Sequence, residues 1–420
     1  KQEIMNINEI VKEANRAKIK LMGLNTEIKN KALDAVAKNI ELNKEKIYEA
    51  NKKDLEYAQT LVDTGKITKA TYGRLKLDEN KMRDMIQGIY DVIKLEDPVN
   101  KTLFVRELDE ELILKKITTP IGVLGIIFEA RPDVISQISS LAIKSGNAVI
   151  LKGGSEANNT NRAIFEIITE ALNNTEGFPK SAVNLVFSHD DIKEMLSKDG
   201  YIDLIIPRGS NKLVRFIQEN TKIPVLGHAS GICHIFVDET ADFNMAKKIC
   251  IDAKTQYPTA CNAVETILIH KNFPYTAELK EALIEAGIEV IENPEEFGVE
   301  YSDTVLNIKT VDSLDEAIEH INTYGSHHTD SIITSNNENA EIFMNNVDSA
   351  GVFKNASTRF SDGFRYGFGA EVGISTNKTH ARGPVGLDGL CIYKYKLEGK
   401  GQTVAEYAKG EKTFKHKDIV

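Results

Sequence analysis

The sequence has few cysteines, and no two of them have the spacing of a disulfide framework or a metal-binding motif. Its 420 residues include four, at Cys233, Cys250, Cys261 and Cys391, with no CxxC pair and no metal-ligand spacing. Free thiols in a reducing cytosol fit this pattern better than a disulfide framework does. We therefore expect a cytoplasmic protein without a metal.

The sequence also lacks a net positive charge and long apolar runs. The net charge is -10, whereas nucleic-acid binding requires a basic surface that neutralises phosphates. No window approaches the roughly 18 to 20 apolar residues that span a bilayer, and residues 1–18 read as a charged amphipathic helix instead of a signal peptide. We expect neither a nucleic-acid partner nor a membrane.

A Rossmann fingerprint is absent, since the one similar run, GFGAEVG at 367–373, follows no strand. Two other segments place a cation and glycine between a strand and a helix: Lys152 precedes Gly-Gly, and Arg208 precedes Gly209 and Ser210. Helix starts of this kind bind anions. Capping alone would explain the Ser and Gly residues, but two such segments in succession favour a dinucleotide or phosphate site.

What the sequence does contain is an alternation of short apolar strands and amphipathic helices. Residues 1–100 read as helices, and strands are predicted in two series, at Val123–Phe128, 148–153, 183–187 and 203–207, and then at 233–238, 263–270, 304–309, 331–335 and 351–355. This pattern predicts an α/β protein with two tandem parallel-sheet domains. Segment 108–120 and the C-terminal tail alternate like exposed strands and could pair with another subunit.

Cys261 lies in QYPTACNAVETILIH, residues 256–270. A buried cysteine is usually a small hydrophobe, and Cys233 and Cys250 fit that interpretation within a strand and a helix. The Tyr-Pro-Thr segment before Cys261 has turn chemistry and places this thiol on a connection. Cys261 is therefore the candidate nucleophile.

Arg131 and His228 are less clearly marked. Arg131 follows a buried strand in EARPD and could pair with a surface carboxylate or grip a substrate phosphate or carboxylate in a bidentate manner. His228 lies between glycines in VLGHASG and could be a satisfied buried histidine or a functional one. His327 and His328 read as a solvated loop.

Six segments together resemble the aldehyde dehydrogenase superfamily. They are TPIGVLGIIFEARPDV, AVILKGGSEA, IPRGS, LGHASGICHIFVD, QYPTACNAVETILIH and FGAEVGISTNKTHARGPVGLDGL, in the family's order, and the likeness runs from about residue 5 to 415. The resemblance implies a cofactor-binding domain of residues 1–107 and 121–235 with part of 362–388. It implies a catalytic domain of 236–361 and an oligomerisation element of 108–120 and 389–415.

The likeness is greatest to the branch that reduces L-glutamyl 5-phosphate to L-glutamate 5-semialdehyde, the second step of proline biosynthesis, with NADP(H). It implies that the thiolate of Cys261 displaces phosphate and forms a thioester, which hydride then reduces. The backbone N–H of Cys261 and the Asn262 side chain would stabilise the oxyanion that forms when the carbonyl carbon is attacked. The implied cofactor contacts are Lys152, Gly209, Ser210 and Glu300. Ser357, Thr358 and Arg359 are candidates for the amino-acid end of the substrate.

Two departures from hydrolytic members of the superfamily favour acyl-phosphate chemistry. Arg131 stands where those members carry an Asn, and HASGI, with His228, replaces the segment that holds their Glu base. A general base accelerates the attack of water on the thioester by about 10²- to 10⁴-fold. Without that base the thioester hydrolyses slowly but can still react with phosphate, which an Arg can hold.

Alternatives remain open at this point. A hydrolytic or CoA-acylating semialdehyde dehydrogenase would release free acid or require CoA, and a catalytically silent member would serve only in binding. The resemblance also implies a homodimer or homotetramer, with a possible transient contact with glutamate 5-kinase.

Overall fold

A computed structural model describes residues 6–187, 190–228 and 230–419. The chain divides into two compact units. The first comprises Lys1–Ser210, Phe216–Val225 and Gly386–Val420, and the second comprises Asn211–Arg215 and Leu226–Val385.

The first unit begins with five helices, α1 (Ile7–Leu21), α2 (Thr26–Leu42), α3 (Lys44–Asp63), α4 (Lys69–Leu75) and α5 (Glu79–Lys94). It also contains α6 (Val134–Lys144), α7 (Asn158–Asn173), α8 (Asp190–Leu196) and, near the C-terminus, α14 (Val404–Ala408). Helix α9 (Asn211–Glu219) crosses the boundary between the units. In α5 the N-cap Asp78 accepts a hydrogen bond from the Lys81 amide, and the buried side chains recur every three or four residues.

The first unit has two sheets. Strands β3 (Val123–Phe128), β4 (Ala148–Lys152), β5 (Val183–Val186) and β6 (Leu204–Arg208) form a parallel sheet in the order β5-β4-β3-β6. Strands β1 (Thr102–Asp109), β2 (Leu112–Pro120), β15 (Cys391–Glu398) and β16 (Lys417–Asp418) form an antiparallel sheet in the order β15-β2-β1-β16. The tail therefore pairs with residues 113–120.

The second unit contains helices α10 (Phe243–Thr255), α11 (Thr276–Glu285), α12 (Leu314–Tyr324) and α13 (Asn337–Asn346). Its parallel sheet has the order β12-β11-β7-β8-β10-β9, built from β7 (Cys233–Val237), β8 (Val264–His270), β9 (Glu289–Glu292), β10 (Val305–Val311), β11 (Thr329–Ile333) and β12 (Gly351–Lys354). Strands β13 (Gly373–Ser375) and β14 (Gly383–Val385) form a separate antiparallel pair.

Continuous apolar strands correspond to the buried centres of both parallel sheets. Every residue of β3, β4, β7 and β8 is buried. Burial on both faces is the usual state of parallel sheets covered by helices. The predicted fold class, two parallel-sheet α/β domains with a small additional β element, is confirmed.

The two units differ from the expected domain boundaries in segments 211–215 and 226–235, which the sequence places in the cofactor-binding domain and which belong to the second unit. Of segment 362–388, residues from Gly386 onward belong to the first unit, as expected for part of it, and residues up to Val385 belong to the second. Backbone pairing explains this placement, because β13 pairs with β14 and the Val372 amide donates to the Val385 carbonyl. The short strand β9 was not predicted, since its side chains are only partly buried and its apolar pattern is weak.

No helix within the described part of the chain is long and apolar enough to cross a membrane.

Candidate active site

Cys261 lies in a tight turn between α10 and β8. The Ala260 amide donates to the Tyr257 carbonyl (3.1 Å), and the Ala263 amide donates to the Ala260 carbonyl (2.9 Å). Cys261 itself is a free thiol of intermediate exposure, whereas Cys233, Cys250 and Cys391 are buried free thiols. The predictions that Cys261 lies on a connection and that Cys233 and Cys250 are core residues are confirmed.

The backbone of Cys261 is packed closely by the segment that leads into β7. A Cβ atom added to Gly231 would lie 2.0 Å from the Cys261 carbonyl oxygen and 2.5 Å from its Cα. The thiol of Cys233 also donates to that carbonyl oxygen, over 3.4 Å. Only glycine permits this approach, so Gly231 helps to fix the position of the Cys261 turn.

Asn262 is buried and serves the turn through both its side chain and its main chain. Its Nδ2 donates to the Ser361 carbonyl (2.8 Å), and its own carbonyl accepts from the Thr358 hydroxyl (2.6 Å). Its Oδ1 is buried and has no hydrogen-bond partner among the described residues. The amide thus ties Cys261 to the segment that contains Ser357, Thr358 and Arg359.

Those three residues are buried. Ser357 caps a short 3₁₀ helix, Thr358–Phe360, by accepting from the Arg359 amide. The Nε of Arg359 donates to Gln256 (2.9 Å), and its guanidinium lies 5.8 Å from the ring centre of Tyr257. Burial lowers the pKa of Arg359, and the charge of Arg365 lowers it further, whereas negative charge on Cys261 raises it. Arg359 therefore contributes positive potential at the thiol.

His228 and His328 lie beside Cys261. One ligand atom from each of the three residues falls within 4.8 Å of the others, and the two imidazoles meet edge to face with centres 5.0 Å apart. The Nδ1 of His228 donates to the Ile374 carbonyl (2.9 Å). His228 is half-buried and His328 is fully buried.

The interpretation of His328 as a solvated loop residue is wrong. The residue directly precedes β11, while His228 precedes β7 and Cys261 precedes β8. Because β11, β7 and β8 are adjacent parallel strands, the three residues meet at the amino edge of one sheet. The available signal was the position of His328 next to a buried strand.

A buried ion pair adjoins the same turn from α10 and β8. The Nζ of Lys254 lies 2.9 Å from Glu265 Oε2, and both side chains are almost fully inaccessible. Burial raises the pKa of Glu265 to about 7, although Lys254 lowers it. Desolvation therefore outweighs the attraction of the ammonium group in this pair.

The candidate cofactor residues Lys152, Gly209 and Ser210 belong to the first unit. Lys152 ends β4, is buried, and donates from Nζ to the Gly153 carbonyl. The Ser210 amide, just after β6, donates to a carboxylate oxygen of Glu129 over 2.8 Å. An acidic oxygen therefore fits at this position ahead of α9, as a cofactor phosphate would require.

Arg131 also belongs to the first unit, and Glu300 belongs to the second. Arg131 is exposed between β3 and α6, after Ala130, whose φ is 47°. Glu300 is half-buried and accepts a hydrogen bond from Asn211 Nδ2 over 2.8 Å. The carboxylate of Glu300 is therefore held by the first residue of α9.

Comparisons with known proteins agree with the α/β class that the two sheets define. The model of the aldehyde dehydrogenase family matches residues 2–295. The gamma-glutamyl phosphate reductase of Brachyspira hyodysenteriae is 61% identical over 434 residues, covering 99% of this chain and 100% of that protein. The protein of the same name from Methanosarcina acetivorans is 52% identical over 436 residues, covering 99% and 98%.

A solved structure also matches along nearly the whole chain. The crystal structure of gamma-glutamyl phosphate reductase from Thermotoga maritima has a TM-score of 0.90 and 38% sequence identity, covering 94% of this chain and 99% of that one. The chain belongs to the aldehyde dehydrogenase family, as its motifs predicted. It is an oxidoreductase that uses a nicotinamide cofactor and a small-molecule substrate.

Proposed function

We propose that this chain reduces L-glutamyl 5-phosphate to L-glutamate 5-semialdehyde and inorganic phosphate with NADPH, as the second step of proline biosynthesis. The observation that supports this most strongly is a half-exposed free thiol, Cys261, in a turn that neighbouring residues hold in place. The chain that carries it is 61% identical to a gamma-glutamyl phosphate reductase over 99% of its length.

Cys261 is the proposed nucleophile. A thiolate is required because the neutral thiol is a poor nucleophile. The adjacent imidazoles of His228 and His328 can accept the thiol proton, and the guanidinium of Arg359 favours the negative charge that remains. The thiolate attacks the carbonyl carbon of the acyl phosphate, a C–S bond forms, the C–O bond to phosphate breaks, and a thioester results.

Reduction of that thioester completes the proposed reaction. The nicotinamide cofactor, when bound, supplies a hydride to the thioester carbonyl. The resulting hemithioacetal then collapses to the aldehyde as the C–S bond breaks and its electron pair returns to Cys261 as a thiolate. The phosphate expelled in the first step has by then taken up the proton that the imidazoles accepted from the thiol.

The tetrahedral oxyanion needs donors that are already oriented. The Cys261 backbone N–H is the first candidate. The Nδ2 of Asn262 has one proton engaged with Ser361, so its second proton is the one available to an oxyanion. Asn262 would thus position the turn and contribute one donor.

Lys152, Gly209, Ser210 and Glu300 are the proposed cofactor contacts. Lys152 would meet the adenosine ribose or its 2′-phosphate, which is the basis for proposing NADP(H). The amides at Gly209 and Ser210 would face the pyrophosphate, where the Glu129 carboxylate now accepts the Ser210 N–H. Glu300 would hold the nicotinamide ribose.

Arg131 is the proposed phosphate ligand. Its guanidinium is exposed at the end of β3, and a planar fork of donors suits a bidentate phosphate contact. His228 is a further candidate for this group. Ser357, Thr358 and Arg359 would shape the pocket for the amino-acid end, since all three are buried around the Cys261 turn.

We further propose a cytoplasmic homodimer or homotetramer that transiently contacts glutamate 5-kinase. The free thiols support the location. The exposed aromatic face of the β15-β2-β1-β16 sheet supports the assembly, and the instability of an acyl phosphate supports the contact with the kinase.

Covalent trapping tests the proposed function. Enzyme mixed with the semialdehyde and NADP⁺, with phosphate left out, should accumulate a glutamyl thioester, which intact-protein mass spectrometry detects as one added acyl group. Peptide mapping should place that group on Cys261, and Cys261→Ser should remain unlabelled. Equal labelling of Cys250→Ala is the control, because that buried thiol lies on α10. A labelled Cys261→Ser protein would contradict the proposal.

A further inference from the structure

We propose that Cys261, His228 and His328 form a reversible binding site for Zn²⁺ that blocks the nucleophile. A metal site was not predicted from the sequence, because the three residues are far apart along the chain. They meet only through the adjacency of β11, β7 and β8 at the amino edge of the second sheet.

The donor atoms have the composition that zinc prefers. Zinc binds cysteine sulfur at about 2.3 Å and histidine nitrogen at about 2.0–2.1 Å, usually in tetrahedral geometry. Those bond lengths place ligand atoms roughly 3.3 to 3.6 Å apart. The three donors here lie within 4.8 Å of one another, so side-chain movements that shorten these separations by at most about 1.5 Å bring them onto one ion.

Each imidazole has a hydrogen-bond partner on its Nδ1 atom. The Nδ1 of His228 donates to the Ile374 carbonyl, which fixes the tautomer whose Nε2 carries the lone pair. The Nδ1 of His328 is hydrogen-bonded to the Thr329 hydroxyl over 2.8 Å. This pattern of an outer partner on one ring nitrogen is the usual support of a metal-ligating histidine.

The Nε2 of His328 supplies an independent indication. It is buried and has no hydrogen-bond partner among the described residues, and the residue is 0% exposed. A buried polar nitrogen without a partner carries a desolvation cost, and coordination of a cation would remove that cost. Half-buried Cys261 and His228 leave the cluster open to ions from solution.

Three protein ligands leave the fourth position of the ion to water. Binding exchanges the thiol proton of Cys261 for the metal, so one proton is released as the S–Zn bond forms. The sulfur lone pair is then unavailable for attack on an acyl carbon. Inhibition by zinc therefore rests on the proposed function of Cys261, whereas zinc binding itself does not.

Calorimetry with Zn²⁺ on the full-length, reduced protein tests the site directly. We expect about one Zn²⁺ per chain, reversed by a chelator. His328→Gln, His228→Gln and Cys261→Ser should each weaken binding by more than about 10-fold, since even outer partners of a metal change affinity by roughly 10- to 100-fold. His327→Gln is the matched control, because its ring contacts the Asp348 carbonyl instead.

Cobalt gives a second readout, and its signal in the unmodified protein does not depend on how well any variant folds. Co²⁺ bound to the unmodified protein should show thiolate-to-metal charge-transfer absorption, absent in Cys261→Ser. Zinc binding unaffected by His328→Gln and His228→Gln, or cobalt without thiolate absorption, would overturn the site. Zinc binding by a protein whose zinc-free form has no reductase activity would refute the proposed function alone, and reductase activity in a protein that binds no zinc would refute the site alone.

Discussion

At the scale of single residues, the account depends on how the Cys261 turn is held. Three contacts hold this turn in place. The backbone of Gly231 lies against the Cys261 carbonyl oxygen, and the Cys233 thiol donates to that same oxygen. The side chain of Asn262, the residue after Cys261, donates to the Ser361 carbonyl. Placement of a nucleophile matters because a shift of about 1 Å can cost roughly 10²-fold in rate.

Gly231→Ala should therefore lower kcat by more than about 10-fold, because its Cβ would lie 2.0 Å from the Cys261 carbonyl oxygen and would displace the turn. Overpacking should also lower the free energy of unfolding by about 1–3 kcal/mol. Steady-state kinetics and denaturant unfolding measure both effects. Gly298→Ala is the control in the same unit, since nothing lies within 4 Å of its added Cβ. Equal activity in the two variants would contradict the account.

Arg131→Ala should raise the KM for phosphate in the reverse reaction by about 10-fold or more, because a bidentate, charge-assisted contact is lost. Its KM for NADP⁺ should change little. Arg83→Ala is a suitable control, since that arginine is exposed on α5. A phosphate KM that stays the same in Arg131→Ala would remove Arg131 from the site.

At the scale of elements, α10 and β8 support the Cys261 turn from both sides and carry the buried Lys254–Glu265 pair. Breaking one partner of a buried pair strands a charge in a poorly solvated place. The pair therefore gives this region a dependence on pH that the sequence did not predict.

Glu265→Gln should alter how stability depends on pH. Its carboxyl has a pKa raised from 4.5 to about 7, so the folded state holds a proton more tightly than the unfolded state. Glu265 therefore adds up to about 3 kcal/mol to the free energy of unfolding at low pH. This contribution is lost as the pH rises from about 4.5 to about 7.

Denaturant unfolding at several pH values between 5 and 8 checks this. The stability of the parent protein relative to Glu265→Gln should fall across that range, whereas Glu278→Gln, at an exposed position of α11, should follow the parent. Parallel profiles for the parent and Glu265→Gln would show that Glu265 does not titrate there.

The elements predicted best from the sequence are fully buried strands, because their sequences are continuous apolar runs. Strands β3 and β8 are buried along their whole length, and their limits were predicted to within a residue. Strand β9 is half-exposed and four residues long, so it carries no such run. The contact of His328 with Cys261 was missed because it arises from strand order, which local sequence does not encode.

At the scale of the whole molecule, the predicted oligomer depends on the antiparallel sheet of the first unit. Strand β15 lies at its edge, where backbone groups lack a neighbouring strand. Tyr393, Tyr395 and Leu397 on this strand are 45%, 54% and 56% exposed. A row of exposed apolar side chains on an edge strand is typical of a surface that pairs with a second copy.

Light scattering tests this. The parent protein should have the mass of a dimer or tetramer, and Tyr395→Asp combined with Leu397→Asp should shift it toward the monomer, because charge opposes burial of that face. Leu42→Asp, a change at an exposed leucine of α2, should leave the mass unchanged. A parent protein that is monomeric, or a double variant with the parent's mass, would contradict the role of β15.

The central claim is that this enzyme makes and breaks an acyl phosphate through Cys261. The reverse reaction tests it most directly: pyrroline-5-carboxylate, in equilibrium with the semialdehyde, is mixed with NADP⁺ and enzyme, with and without inorganic phosphate, while reduced nicotinamide is followed. We predict turnover only with phosphate, and none in Cys261→Ser. Steady turnover without phosphate would mean that water resolves the thioester, and the acyl-phosphate mechanism would be wrong.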